Sequence, residues 1–170
     1  MNFMTVQRKN KHIFVFGIFA VDISFYVDKK VNPGETIIAK GSNIGPGGKA
    51  SNQAISARKL GATTTLITRL GNDNFNTYAN TIWTKEKLIT SVKIDKALPT
   101  GMAGIFIDDK TGENSVIVHP GASAKLGMND FNSHKSKMRK GDIFLTQFEQ
   151  SPETTFSVLK EARKLGMTTI

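Results

Sequence analysis

Apolar positions along this chain fall into short blocks with two different spacings. Ile13-Phe-Val-Phe-Gly-Ile-Phe-Ala-Val21 is continuously apolar, which is how a strand buried on both faces reads. Gly34-Glu-Thr-Ile-Ile-Ala-Lys40 predicts a second strand, entered through the turn signal Asn32-Pro-Gly34. Residues 51–60 carry Ala54, Ile55, Ala57 and Leu60 at helical spacing and stop at Gly61. Residues 63–70 return to strand character and close on Gly71-Asn-Asp73. The spacing then predicts a helix over 76–88 with Tyr78, Ile82 and Trp83 turned to the core. Two strands follow at 101–107 and 115–119, joined by a hairpin over 108–114. Residues 141–148 form another buried-type strand ending at Glu149, and 152–165 a helix with proline in its first turn. Gly166-Met-Thr-Thr-Ile170 opens a further strand, which reads as a chain truncated within a larger α/β fold.

Composition narrows the class. The chain has 170 residues, 39% hydrophobic and 22% charged, enough for one domain with its own core. The absence of cysteine excludes disulfides and thiolate metal sites and fits a reducing, cytoplasmic setting. A net charge of +9 raises nucleic acid as a partner. The densest basic run, His134-Lys-Ser-Lys-Met-Arg-Lys140, carries no aromatic residue for base stacking and reads as a solvated helix face. Arg8, Lys9 and Lys11 ahead of the first apolar block imitate a signal peptide. No cleavage pattern follows, and the block is too short to span a membrane. Asp22, just after that block, sits where α/β folds bind ligands.

Gly45-Pro-Gly-Gly-Lys-Ala-Ser-Asn52 stands where a loop turns into a helix. Such a junction offers free backbone N–H groups and the positive end of the helix dipole. It is not a P-loop: that motif needs glycine at position 43 and a hydroxyl at position 50, where the chain has Asn43 and Ala50. Gly45-Pro-Gly47-Gly-Lys-Ala50 does satisfy the dinucleotide fingerprint, with Asp73 as the acid expected to hold a ribose, although the preceding segment is too polar for a first buried strand. The three histidines, His12, His119 and His134, form no metal-ligand spacing.

A wider set of motifs gives a third reading. Gly47-Gly-Lys-Ala-Ser-Asn52 with Gln53-Ala54 is similar to the first signature of the ribokinase family of sugar kinases, usually Gly-Gly-Lys-Gly-x-Asn-Gln-Ala. Gly17-Ile-Phe-Ala-Val-Asp22, Pro33-Gly-Glu-Thr36, Leu70-Gly-Asn-Asp73, Pro99-Thr-Gly-Met-Ala103, His119-Pro-Gly-Ala122 and Gln147-Phe-Glu149 extend the resemblance over residues 13–170, in order. It implies a doubly wound, mostly parallel sheet with a small β-lid from segments near 23–42 and 100–119, behind an N-terminal tail of residues 1–12. The lid implies a homodimer, and the fold present here is about half of the family's.

The resemblance also implies roles. Asp22 and Asn52 would hold sugar hydroxyls, Gly47 and Gly48 would let backbone approach the sugar, and Lys49 would add a donor. Glu149 would take further hydroxyls, its alternative being to cap the helix that starts at Pro152. Ala103 and Val118 would form the apolar cover. Ala20 stands where many ribokinases carry an asparagine that holds the sugar, and Ala50 replaces the usual glycine, so the sugar's identity stays open, with ribose as first guess. The family's Gly-Ala-Gly-Asp signature with its general base, its Asn-x-x-Glu motif, its ATP and magnesium sites and its monovalent-cation site fall beyond residue 170. The implied activity is ATP-dependent phosphorylation of a small sugar on a primary hydroxyl, with these 170 residues inactive alone. A non-catalytic sugar-binding or dimerising module and a dinucleotide-binding domain are the alternatives.

Overall fold

The computed structural model describes residues 11–170. They form two sheets. In the larger, β1 (His12–Phe16), β4 (Thr63–Gly71), β5 (Ile89–Asp95), β8 (Ile143–Thr146) and β9 (Thr168–Thr169) pair in the order β5-β4-β1-β8-β9, all parallel.

 A smaller mixed sheet takes β2 (Ala20–Val27), β3 (Gly41–Gly47), β6 (Gly101–Asp108) and β7 (Asn114–His119) in the order β3-β2-β6-β7. Here β2 and β6 are parallel, and β3 and β7 run antiparallel to them at the two edges.

The central strands alternate between two cores, as a sheet covered on both faces must. Phe14 and Phe16 of β1 pack with Phe131, Phe144, Val158 and Ala162 under α3 (Met128–Asn132) and α4 (Pro152–Lys164). Val15, between them, packs with Ala54, Leu66, Leu70, Ala79 and Trp83 under α1 (Lys49–Lys59) and α2 (Asn74–Lys85). The Trp83 indole N–H donates to the Ser51 hydroxyl at 3.0 Å, so the two helices of this face share a buried polar link. This is the doubly wound α/β architecture expected from the strand and helix pattern.

Four sequence readings need correction. The apolar block 13–21 is two strands, not one: the chain leaves the central sheet after Phe16 and enters the smaller sheet at Ala20. Asp22 is therefore the third residue of β2, rather than the end of a core strand. Residues 34–40 are irregular, and the strand they were expected to form lies at 41–47, where Gly41 pairs with Tyr26. The second helix ends at Lys85, and Ile89–Asp95 is an additional strand whose half-polar sequence, Ile-Thr-Ser-Val-Lys-Ile-Asp, suits a sheet edge. The basic run at 134–140 is a 3-10 turn over Lys135–Lys137 followed by loop, not a helix face. Of the expected tail, residues 1–10 lie outside the described residues, and His12 opens β1.

The two sheets are held together where β4 ends and β6 begins. Asp73 caps α2 by accepting the Asn76 N–H at 3.1 Å. The same carboxylate accepts the Thr100 N–H at 2.7 Å and the Thr100 hydroxyl at 2.8 Å. The Thr100 oxygen in turn accepts the Gly71 N–H at 3.0 Å. Burial pushes the Asp73 carboxyl up, but the hydrogen bonds from Thr100, Asn76 and Phe75 together outweigh it and hold it below the usual carboxylate range. Its contribution to stability is thus present above the ordinary carboxylate value and fades only as pH falls through the lowered one. Thr100→Val removes the hydroxyl from this buried network and leaves the Gly71 N–H unpaired. It should cost about 1–3 kcal/mol in urea unfolding at neutral pH, whereas a loss below a few tenths would show the link to be dispensable.

Candidate functional site

The glycine-rich segment is built differently from a loop. Gly45 to Gly47 finish β3, with Gly45 facing Asp22 and Gly47 facing Ala20 across the antiparallel pair, and Gly48 alone joins β3 to α1. Gly48 has φ +83°, and a Cβ there would meet the Ile18 carbonyl oxygen at 2.5 Å and Phe19 Cα at 2.7 Å. Both are backbone atoms of the β1–β2 crossover, so only glycine fits. A Cβ on Gly47 would collide with the carboxylate of Asp22. The side chain of Asp22 therefore lies directly over the Gly47 backbone.

The smaller sheet brings further expected residues into line. Gly45, Asp22, Ala103 and Val118 are register partners in turn across β3, β2, β6 and β7. Residues directly paired across strands point to the same face, so Asp22, Ala103 and Val118 share one side of this sheet. Gly45 and Asp22 are half-buried, Ala103 is 4% exposed and Val118 54% exposed, so the row is closed at its middle and open at the β7 edge.

Glu149, just past β8, closes the opposite wall. Its Oε2 accepts the Lys49 backbone N–H at 2.9 Å, and its Oε1 accepts from the Lys49 ammonium at 2.6 Å. Lys49 is the first residue of α1. A carboxylate from across the fold thus occupies the helix N-terminus that would otherwise be open to an anion. The expected alternative for Glu149 is contradicted, because Ser151 caps α4, its hydroxyl accepting the Thr154 N–H at 3.2 Å. Asn52, one turn into α1, is exposed.

Burial raises the Asp22 carboxyl above its usual value, and the negative charge of Glu149 raises it further. Two carboxylates and one ammonium make this wall net negative when all are ionised. A phosphate brought here meets repulsion and a helix end already taken. Neutral hydroxyls are favoured instead, since each can donate to a carboxylate without adding charge.

The dinucleotide reading fails on two counts. Its glycine turn should link a central parallel strand to a helix, yet β3 is the antiparallel edge of the smaller sheet. Asp73, the supposed ribose ligand, is consumed by Thr100 and the α2 cap. Among the described residues, no group of three or more His, Cys, Asp or Glu could hold a metal ion, and no helix is long and apolar enough to cross a membrane. Sequence reasoning missed the buried amides beside the site. Gln147 donates to Gln53, its own Oε1 lies against Gly17, and that oxygen has no hydrogen-bond partner among the described residues. The motif Gln147-Phe-Glu149 was the available signal for it.

A raised Asp22 favours the protonated folded state, so its contribution to stability is fully present below the unfolded value and is lost as pH rises through the raised one. Asp22→Asn should then raise the thermal midpoint by roughly 1–3 °C at pH 7, with the gain vanishing near pH 4. An equal or larger gain at pH 4 would contradict the assigned charge. Glu149→Ala uncaps α1 and should cost about 0.5–2 kcal/mol in urea unfolding, against no loss if the contact is incidental.

Comparison with known proteins agrees with this geometry. The family model described as pfkB family carbohydrate kinase matches residues 10–169. A ribokinase of Dictyostelium discoideum is 37% identical over 157 residues, covering 90% of this chain and 48% of that protein. The structure of a Giardia lamblia ribokinase superposes with a TM-score of 0.84 at 25% identity, covering 94% of this chain and 50% of that one. An Arabidopsis thaliana ribokinase complexed with ribose and ATP superposes with a TM-score of 0.74 at 26% identity, covering 94% of this chain and 52% of that one. The chain spans about half the length of the relatives it matches. With residues 10–169 of its 170 matched by this family model, the chain belongs to the pfkB family of carbohydrate kinases.

Proposed function

We propose that these 170 residues are the sugar-holding part of a ribokinase-type enzyme that transfers the γ-phosphoryl group of ATP to a primary hydroxyl of a small sugar, ribose first. The observation that carries this reading is the pairing of Asp22 over Gly47 with Glu149 across the α1 N-terminus. In it, Asp22 and Asn52 take sugar hydroxyls, Gly47 and Gly48 bring backbone to the ring, and Lys49 and Glu149 complete the polar wall. Ala103 and Val118 cover the ligand from the smaller sheet, which acts as the lid. A relative solved with ribose and ATP supports the choice of acceptor and donor. The lack of cysteine supports a reducing, cytoplasmic setting for this reaction.

The glycine-rich helix start does not suit the phosphoryl donor, because it is capped by Glu149. The general base, ATP, magnesium and monovalent-cation sites are therefore assigned to the part of the family fold these residues do not cover, and the 170 residues alone to sugar binding without transfer. The lid also supports a homodimer. Strand β7 is exposed along its whole length, including Val116, Ile117 and Val118, and among the described residues forms an unpaired sheet edge.

Calorimetric titration with D-ribose tests the acceptor site. Saturable binding should weaken about ten- to a hundredfold in Asp22→Ala, the range for a lost hydrogen bond to a charged group. Unchanged affinity would remove Asp22 from the site. A coupled assay for ADP should show no ribose-dependent turnover by these 170 residues, and turnover that depends on Asp22 would overturn the assignment of transfer to the remaining part of the fold.

A further inference from the structure

The basic run that sequence alone assigns to a solvated helix face instead lines a cavity. Its 3-10 turn and following loop fold back to the start of β1, and Lys137, Arg139 and Lys140 converge with Lys11 on a recess of about 440 Å³. The recess lies at the N-terminal ends of β1 and β8, whereas Glu149 lies past the C-terminal end of β8.

Charge in this recess is unbalanced. Its one carboxylate, Asp142, accepts the backbone N–H of His12 at 3.1 Å and of Arg139 at 3.0 Å, which fixes it in the wall. Among the described residues, it makes no ion pair with any of the four cations. Four positive groups against one negative leave +3, and burial keeps His12 toward its neutral form despite Asp142. The Lys140 stem lies against Gly166, while the residue as a whole stays exposed.

A planar guanidinium and several ammonium groups around a cavity of ligand size suit clustered phosphoryl oxygens. We propose that this recess is a second ligand site, separate from the sugar site, which binds an oligophosphate through Lys11, Lys137, Arg139 and Lys140. A free oligophosphate and the phosphates of a nucleotide share this chemistry. An adjoining recess of about 240 Å³, which shares His12 and Lys137 and adds Phe14 and Ile89, offers space for an organic body.

Amide-resolved NMR titration with tripolyphosphate, pyrophosphate and ADP tests this at constant ionic strength. Tripolyphosphate should shift the Gly141 and Asp142 amides saturably, and the Lys137→Gln/Arg139→Gln/Lys140→Gln variant should bind about tenfold or more weakly. Arg139→Gln alone provides the same reading if the triple variant is misfolded, and Lys160→Gln, on the exposed face of α4, should leave affinity unchanged. ADP binding tighter than pyrophosphate supports the site in its nucleotide form, and equal affinity supports it in its free-phosphate form. Non-saturating shifts, sulfate binding as tightly as tripolyphosphate, equal weakening by Lys160→Gln, or tighter binding of a DNA oligonucleotide at these amides would each overturn the proposal.

Discussion

A single carboxylate decides what the glycine-rich junction can hold. Glu149 reaches Lys49 across 100 positions of sequence and takes both the first helical N–H of α1 and the ammonium beside it. That contact ties the end of β8 to the start of α1. It also fills the place where a helix N-terminus would bind phosphate. The negative charge it brings raises the neighbouring Asp22, after burial has already done so. A site with these properties suits a neutral, hydroxyl-rich molecule, and the family to which the chain belongs acts on carbohydrates.

The rest of the fold serves to bring these groups together. The β1–β2 crossover carries the chain from the central sheet to the smaller one, and Gly48 packs against its backbone with no room for a side chain. Asp73 and Thr100 make the corresponding join between β4 and β6. Both joins lie where the motifs Gly17–Asp22, Leu70–Asp73 and Pro99–Ala103 recur. Part of that motif set is therefore structural: Asp73 and Thr100 hold one sheet on the other.

Much of this was legible in the sequence, for physical reasons. Helices α1 and α4 announce themselves through period, glycine stop and proline start, and the core strands through unbroken apolar runs. The motif resemblance located the family because it spans many separated segments. Three features stayed hidden. The break within 13–21 has no polar residue to mark it, since both strands are buried around Phe16 and Phe19. Strand β5 mixes polar and apolar residues, as an edge does, and its sequence runs on from a helix without a strong stop. The convergence of Lys11 with residues 137–140 depends on strand order, which local pattern does not encode.

The central claim is that the Gly47–Lys49 junction receives a neutral polyol and not a phosphate. The most direct measurement is the backbone amide resonance of Lys49 during separate titrations with D-ribose and inorganic phosphate at fixed ionic strength. The account predicts a saturable shift with ribose and none with phosphate. A saturable shift with phosphate, with ribose leaving the resonance unmoved, would contradict it.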